Sequence, residues 1–302
     1  MSRIFDEAWE ELLETRATRP EAVAHALAGR TTRSILAADG TTFIIAADHP
    51  ARGMLGVGSA PVVKAARRDV LERIVTALDD PGVDGVMATP DVLDELALLG
   101  ALDGKVTIGS INRGGLVRSA WELDDQLTAH TVPAIAEQGL DGGKMLLRID
   151  LDDPRSKPTI EACARWITEL AEHRLMAMLE PLPYTTDADG RAVLDTDDDA
   201  LVRCVGSANA LGATSAYTWL KLPATDQIER VMAATTLPGL ILGGAPGPDP
   251  ETAFDEWTRA MAVPNVRGLV VGRALLYPPD GDVATAVRRA ARIVHPTVTS
   301  RV

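Results

Sequence analysis

Tyr217-Thr218-Trp219-Leu220-Lys221-Leu222-Pro223 reads as a short β-strand with a lysine near its end, stopped at once by proline. An ammonium group at the end of an apolar, buried run is costly unless something pairs with it. Two roles are open to Lys221. It snorkels to water from a strand end, or burial and neighbouring cations lower its pKa so that a neutral amine attacks a carbonyl. The rest of the chain decides between them.

Working outward, strand-like apolar runs recur at 42–47, 85–88, 106–111, 144–149, 175–179, 216–220, 239–242 and 269–271. Helical patterns lie between and after them, at 63–78, 91–99, 121–138, 159–173, 198–211, 226–234, 251–261 and 283–294. Several helices carry explicit start signals, such as Thr89-Pro90-Asp91 and Asp249-Pro250-Glu251. Eight strands alternating with eight helices predict an α/β fold of parallel β/α units, and the count of eight selects a closed (β/α)8 TIM barrel over an open sheet. Residues 1–40 read as two helices and one arm of a hairpin that turns at Asp39-Gly40 and leads into the first strand. They flank a single barrel domain that takes in the whole of 1–302.

Composition agrees. The chain has 302 residues, 46% of them hydrophobic, which suits one barrel of roughly 250 residues with an extension. A net charge of −13 argues against nucleic-acid or anionic-membrane partners, so an anionic substrate needs a local basic pocket. No apolar run approaches the roughly 20 residues of a membrane span, and Met1-Ser2-Arg3-Ile4-Phe5-Asp6 lacks a signal-peptide core. A cytoplasmic protein is expected. Cys163 and Cys204 each fall on an apolar helical stripe and read as core residues. Phe5 and Trp9 on the first helix could serve a homo-oligomer interface or pack beneath the barrel.

In such a barrel the active site lies at the carboxyl ends of the strands. Strand one ends in Asp48-His49-Pro50-Ala51-Arg52-Gly53. Strand four carries Lys144 and Arg148, which share one parity. Strand five ends in Glu180-Pro181 and strand six in Lys221-Leu222-Pro223. Strand seven runs into Gly243-Gly244-Ala245-Pro246-Gly247, and strand eight into Gly272-Arg273. Taken singly, each has a bland explanation: a turn aspartate, a strand-start lysine, a glutamate paired with Arg148. Together they read as a nucleophile (Lys221), a second cation (Lys144) and two proton-transfer groups (Asp48, Glu180). Gly243, Gly244, Gly272 and Arg273 read as a phosphate site.

The series Ala47-Asp48-His49, Gly143-Lys144-Met145-Leu146-Leu147, Leu179-Glu180-Pro181-Leu182, Trp219-Leu220-Lys221-Leu222-Pro223 and Val271-Gly272-Arg273 resembles the class I, Schiff-base aldolases of the tagatose-bisphosphate type. Archaeal-type fructose-bisphosphate and deoxyribose-phosphate aldolases are more distant relatives. The resemblance implies that Lys221 is the Schiff-base lysine, supported by Asp48, Lys144 and Glu180. It implies no metal or organic cofactor, and a small phosphorylated keto-sugar or sugar acid as substrate. Two features depart from the pattern. Arg148 and Ile149 follow the strand-four lysine where aromatics are favoured, and Gly243-Gly244-Ala245-Pro246 stands where a serine is usual. In a sugar acid, Arg148 or Arg52 would read the carboxylate. A class II, metal-dependent aldolase is disfavoured because His49 is the only histidine at a predicted barrel mouth. A non-catalytic sugar-phosphate barrel and a phosphate-binding isomerase or decarboxylase remain alternatives.

Overall fold

The computed structural model describes residues 6–57, 62–244 and 249–296. Eight parallel strands close into a barrel: β1 (Thr42–Ala46), β2 (Gly85–Ala88), β3 (Val106–Ser110), β4 (Gly142–Ile149), β5 (Met176–Thr186), β7 (Thr218–Pro223), β8 (Gly239–Leu242) and β9 (Val266–Val271). Each pairs with its neighbours in the sheet, and β1 with β9 and β4 with β5 complete the ring. The remaining strand, β6 (Ala192–Leu194), is antiparallel to the distal end of β5 and makes a hairpin above the barrel.

Strand alternation sorts the side chains into two cores. Ile44, Ala46, Met87, Val106, Ile108, Met176, Met178, Leu240 and Val270 fill the barrel interior. Phe43, Ile45, Val86, Met145, Leu147, Leu179, Leu220, Leu222 and Ile241 face the surrounding helices. The inward parity of β4 therefore carries Lys144, that of β5 carries Glu180 after Met176 and Met178, and that of β7 carries Lys221 after Trp219. The strands deliver these three groups just above the apolar plug.

Helices α1 (Asp6–Thr18) and α2 (Ala22–Gly29) lie outside the barrel, burying Leu12 and Leu27 in the outer core. Trp9 is half-buried against that same core, while Phe5 lies outside the described residues. Cys163 and Cys204 are buried free thiols. Two expectations fail locally. Residues 33–37 form no strand; the chain turns through 37–40, with the Ala37 amide donating to the Thr41 carbonyl at 2.8 Å, and β1 begins at Thr42. The helix expected from Trp121 to Gln138 shrinks to α3 (Val132–Glu137), started by Thr131, whose side chain accepts from the Ala134 amide. Residues 111–131 instead form a loop across the barrel mouth. There Asn112 donates to the Asp125 and Leu146 carbonyls and accepts from the Leu146 amide, and buried hydrogen bonds of that kind outweigh helical spacing.

At the opposite end of the barrel His295, just past α4 (Val283–Val294), ties the last helix to the first two strands. Its Nδ1 lies 2.7 Å from Asp39 and its Nε2 2.9 Å from Asp84, which also accepts from the Phe43 amide and pairs with Arg33. Burial alone would lower the imidazole pKa, but the hydrogen bonds its ring donates to the Asp84 and Asp39 carboxylates outweigh it and raise the value. A raised folded-state pKa stabilises fully below the unfolded value of about 6.5 and ceases to do so as pH rises through the folded one. Thermal unfolding of His295→Gln should therefore show a loss of about 1–3 kcal/mol at pH 5.5 that shrinks toward pH 9. A loss independent of pH would mean that the imidazole stays neutral.

Candidate active site

At the carboxyl ends of the strands a cavity of about 360 Å³ is lined by Asp48 and His49 after β1, Lys144, Glu180, Lys221, and Gly272-Arg273 after β9. Arg52, Gly243 and Gly244 line it too. Ala245, Pro246 and Gly247 fall outside the described residues. Gly272, just past β9, packs closely against the end of β1. A Cβ there would lie 2.3 Å from the Ala46 carbonyl oxygen, so only glycine lets Arg273 follow at the mouth.

The centre is a chain of alternating charges. Lys221 Nζ donates to Glu180 Oε1 at 2.8 Å, and Lys144 Nζ lies 2.5 Å from Glu180 Oε2. Lys144 Nζ also reaches Asp48 Oδ2 at 3.3 Å, and Arg113 Nη1 reaches the same oxygen at 2.9 Å. Ser110 adds its hydroxyl to that oxygen at 3.2 Å. All five charged residues are buried. Glu180 therefore pairs with the two lysines, and Arg148 is engaged elsewhere.

Burial would raise both carboxyls, but cations win. Lys144 and Lys221 pull Glu180 down to about 2, and Arg113 and Lys144 hold Asp48 well below the usual carboxylate range. Lys144 is pushed down to about 8, by burial first and then by Arg113, against the pull of Asp48 and Glu180. At neutral pH the cluster holds ionised carboxylates beside an amine that exchanges its proton readily. His49, with Nδ1 3.7 Å from Asp48, is kept well below its usual value, by burial first and against Asp48's attraction, so its imidazole is neutral.

Arg148 is not the substrate-facing residue that its parity predicts. It shares the inward parity of Lys144 but does not line the cavity. Its guanidinium bonds Glu122 at 2.8 Å and Asp125 at 3.1 Å, with the Gly115 carbonyl at 3.3 Å. Glu122 also takes Arg52 at 3.2 Å, whose Nε donates to Gly115. Arg148 thus anchors the 111–131 loop rather than facing a substrate, and Arg52 shares that anchor while still touching the cavity. A Cβ on Gly115 would sit 2.0 Å from Arg148 Nη2, so the loop closes this tightly only with glycine there.

Arg113 is the residue that sequence reasoning missed. It is buried, lines the cavity, bonds Asp48, and leaves its Nη2 with no hydrogen-bond partner among the described residues. Its signal was Asn112-Arg113-Gly114-Gly115, directly after the third apolar strand, the same carboxyl-end placement that marked the other residues. Tyr184 and Leu194, from the β5–β6 hairpin, also escaped notice because the hairpin did. Among the described residues no group of three or more His, Cys, Asp or Glu could hold a metal ion, and no helix is long and apolar enough to cross a membrane.

Fold and site together define a (β/α)8-barrel protein with a buried lysine–carboxylate cluster at the carboxyl ends of its strands. The chain belongs to the Cgl0159-like family, whose model matches residues 40–291. It is similar to the crystal structure of Cgl0159 from Corynebacterium glutamicum, with 47% identity over 98% of this chain and 99% of that one and a TM-score of 0.95. It shares its fold with an archaeal fructose 1,6-bisphosphate aldolase (17% identity, 91% and 99% of the two chains, TM-score 0.67). The same holds for a Schiff-base-forming fructose-1,6-bisphosphate aldolase (18% identity, 90% and 99%, TM-score 0.64). No curated protein sequence matches the chain.

Glu122 offers a direct check on the loop anchor. Glu122→Leu should leave the Arg52 and Arg148 guanidinium groups short of a counter-charge and cost about 3–5 kcal/mol in urea unfolding. A cost under about 1 kcal/mol would show that the loop is held by other contacts.

Proposed function

We propose that the chain is a class I aldolase, cleaving or forming a carbon–carbon bond in a phosphorylated keto-sugar or sugar acid through a Schiff base on Lys221. The observation that carries the reading is the single carboxylate of Glu180, bridging Lys221 and Lys144 inside the cavity. An amine hydrogen-bonded to an ionised carboxylate has a route by which to shed its proton. A second amine, Lys144, its pKa pushed down to about 8, stands next to the same carboxylate. Structural pairing alone would need one lysine, not two.

Neutral Lys221 attacks the substrate ketone, and the carbonyl oxygen takes a proton to give a carbinolamine. The hydroxyl of that adduct leaves as water after a second proton transfer, and the nitrogen lone pair forms the iminium. Glu180 and Lys144 carry these protons, being within hydrogen-bond distance of each other and of Lys221 or Asp48. Asp48, held ionised by Arg113, accepts the proton of the hydroxyl β to the iminium. The adjacent carbon–carbon bond then breaks, its electrons flow into the iminium to give an enamine, and an aldehyde departs. Protonation of the enamine and hydrolysis return Lys221. The iminium is itself the electron sink, so the chemistry requires no divalent metal. Gly243, Gly244, Gly272 and Arg273 take the substrate phosphate, and the cytoplasmic location expected from the sequence is part of the proposal.

Borohydride reduction with candidate ketose phosphates is the discriminating experiment. A substrate-dependent mass increase on Lys221, with cleavage that persists in EDTA, is expected. Lys221→Met should abolish both. Lys144→Met should slow imine formation by about 10²–10⁴-fold, the range of a lost proton-transfer group, and leave the attachment point intact. A substrate turned over normally by Lys221→Met would overturn the Schiff-base assignment and favour an isomerase or decarboxylase on the same barrel.

Arg273→Ala should raise KM for a phosphorylated substrate far more than for its dephosphorylated analogue. Equal effects on the two would make Arg273 a structural residue.

A further inference from the structure

Lys64 takes no part in the chemistry above, yet it is placed at considerable cost. It lies on a 3-10 turn (Val63–Ala65) whose Lys64 amide donates to the Leu55 carbonyl at 3.0 Å, folding the loop after β1 back on itself. The residue is only 6% exposed, and among the described residues its Nζ has no hydrogen-bond partner. A buried, unpaired ammonium is costly unless a counter-charge arrives. Its charge acts on Arg273, Asp48 and His49, all of which line the cavity.

The carboxylate that Lys64 feels is not available to neutralise it. Asp48 Oδ2 already receives Arg113, Lys144 and Ser110. Arg273 is equally short of partners: its Nη2 donates to the Gly244 carbonyl at 3.1 Å, and its Nε has none among the described residues. Two cations, Arg273 repelling Lys64, thus carry unfilled donors, and Asp48, the carboxylate that both feel, is already taken. A carboxylate would bring one charge, whereas a phosphoryl dianion brings two and enough oxygens for both groups.

From this geometry we infer that Lys64 and Arg273 together form the binding site for a phosphoryl dianion, Lys64 being a specificity residue contributed by the loop after β1. The inference rests on the phosphate half of the proposed function and is independent of the Schiff-base half. It has a proton signature. Burial first, and then Arg273, push Lys64 down to about 8, so above that pH it must take a proton from solvent when the dianion binds.

Isothermal titration with inorganic phosphate between pH 8 and 9.5, where phosphate remains a dianion, tests this. Affinity of the wild-type chain is expected to fall with pH, Lys64 contributing close to tenfold per unit above its own pKa. Lys64→Arg should retain binding but lose that part of the slope, together with the matching proton uptake measured in buffers of different ionisation enthalpy. Lys64→Met should weaken binding at pH 8 by tenfold or more. If Lys64→Met binds phosphate like the wild type while Arg273→Ala does not, Lys64 is no ligand and the phosphate reading stands without it. If Lys64→Met fails to fold, Lys64→Arg decides alone, and a wild-type pH slope in it overturns the inference. No phosphate binding by the wild type at millimolar concentration would remove both inference and phosphate site, leaving the Lys221 reading to borohydride trapping.

Discussion

Five buried charges in alternating order, Lys221, Glu180, Lys144, Asp48 and Arg113, are the constraint to which the rest of the structure answers. Each ion carries a desolvation cost of several kcal/mol, recovered only when every neighbour has the opposite sign and lies within hydrogen-bond distance. That demands strands from different parts of the sequence with their inward positions fixed. Alternation supplies the direction, because one step of slippage would turn Lys144 or Lys221 into the outer core. The apolar plug of Ile44, Met87, Ile108, Met176, Met178, Leu240 and Val270 supplies the floor, excluding water from beneath the ions.

The cluster is not neutral within itself: two carboxylates face three cations, and Arg273 and Lys64 stand close by. A chain of net charge −13 therefore encloses a local excess of positive charge, as the sequence required of any binder of anions. The other wall differs in kind. Leu182, Tyr184, Leu194 and Pro223 give it an apolar lining from β5, β7 and the hairpin. A ligand with one charged end and one less polar end suits that asymmetry.

Likeness to solved structures reaches the fold and stops there. Fructose-bisphosphate aldolases at 17–18% identity show how the barrel is built. The relative from Corynebacterium glutamicum shows that this particular elaboration of the barrel is shared almost end to end. The loop over β3 gives Arg113 to the cluster, and Glu122 and Asp125 to hold Arg148.

Local sequence determined what depends on local periodicity. Strand and helix repeats gave the eight β/α units, and the carboxyl-end rule singled out Asp48, His49, Lys144, Glu180, Lys221, Gly272 and Arg273, all of which reach one cavity. Tertiary structure decided whatever depends on partners far away in the chain. Arg148 has the parity of a site residue, but Glu122 and Asp125, more than twenty positions earlier, claim its guanidinium. Helical spacing from Trp121 onward yields to buried hydrogen bonds between Asn112, Asp125 and Leu146. Lys64 falls within the helical pattern 63–78 in the sequence, but it sits on a 3-10 turn before the helix, where the tertiary fold buries it. Alternation fixes which way a side chain points, whereas the charge it meets there is set by chain closure, which no local pattern encodes.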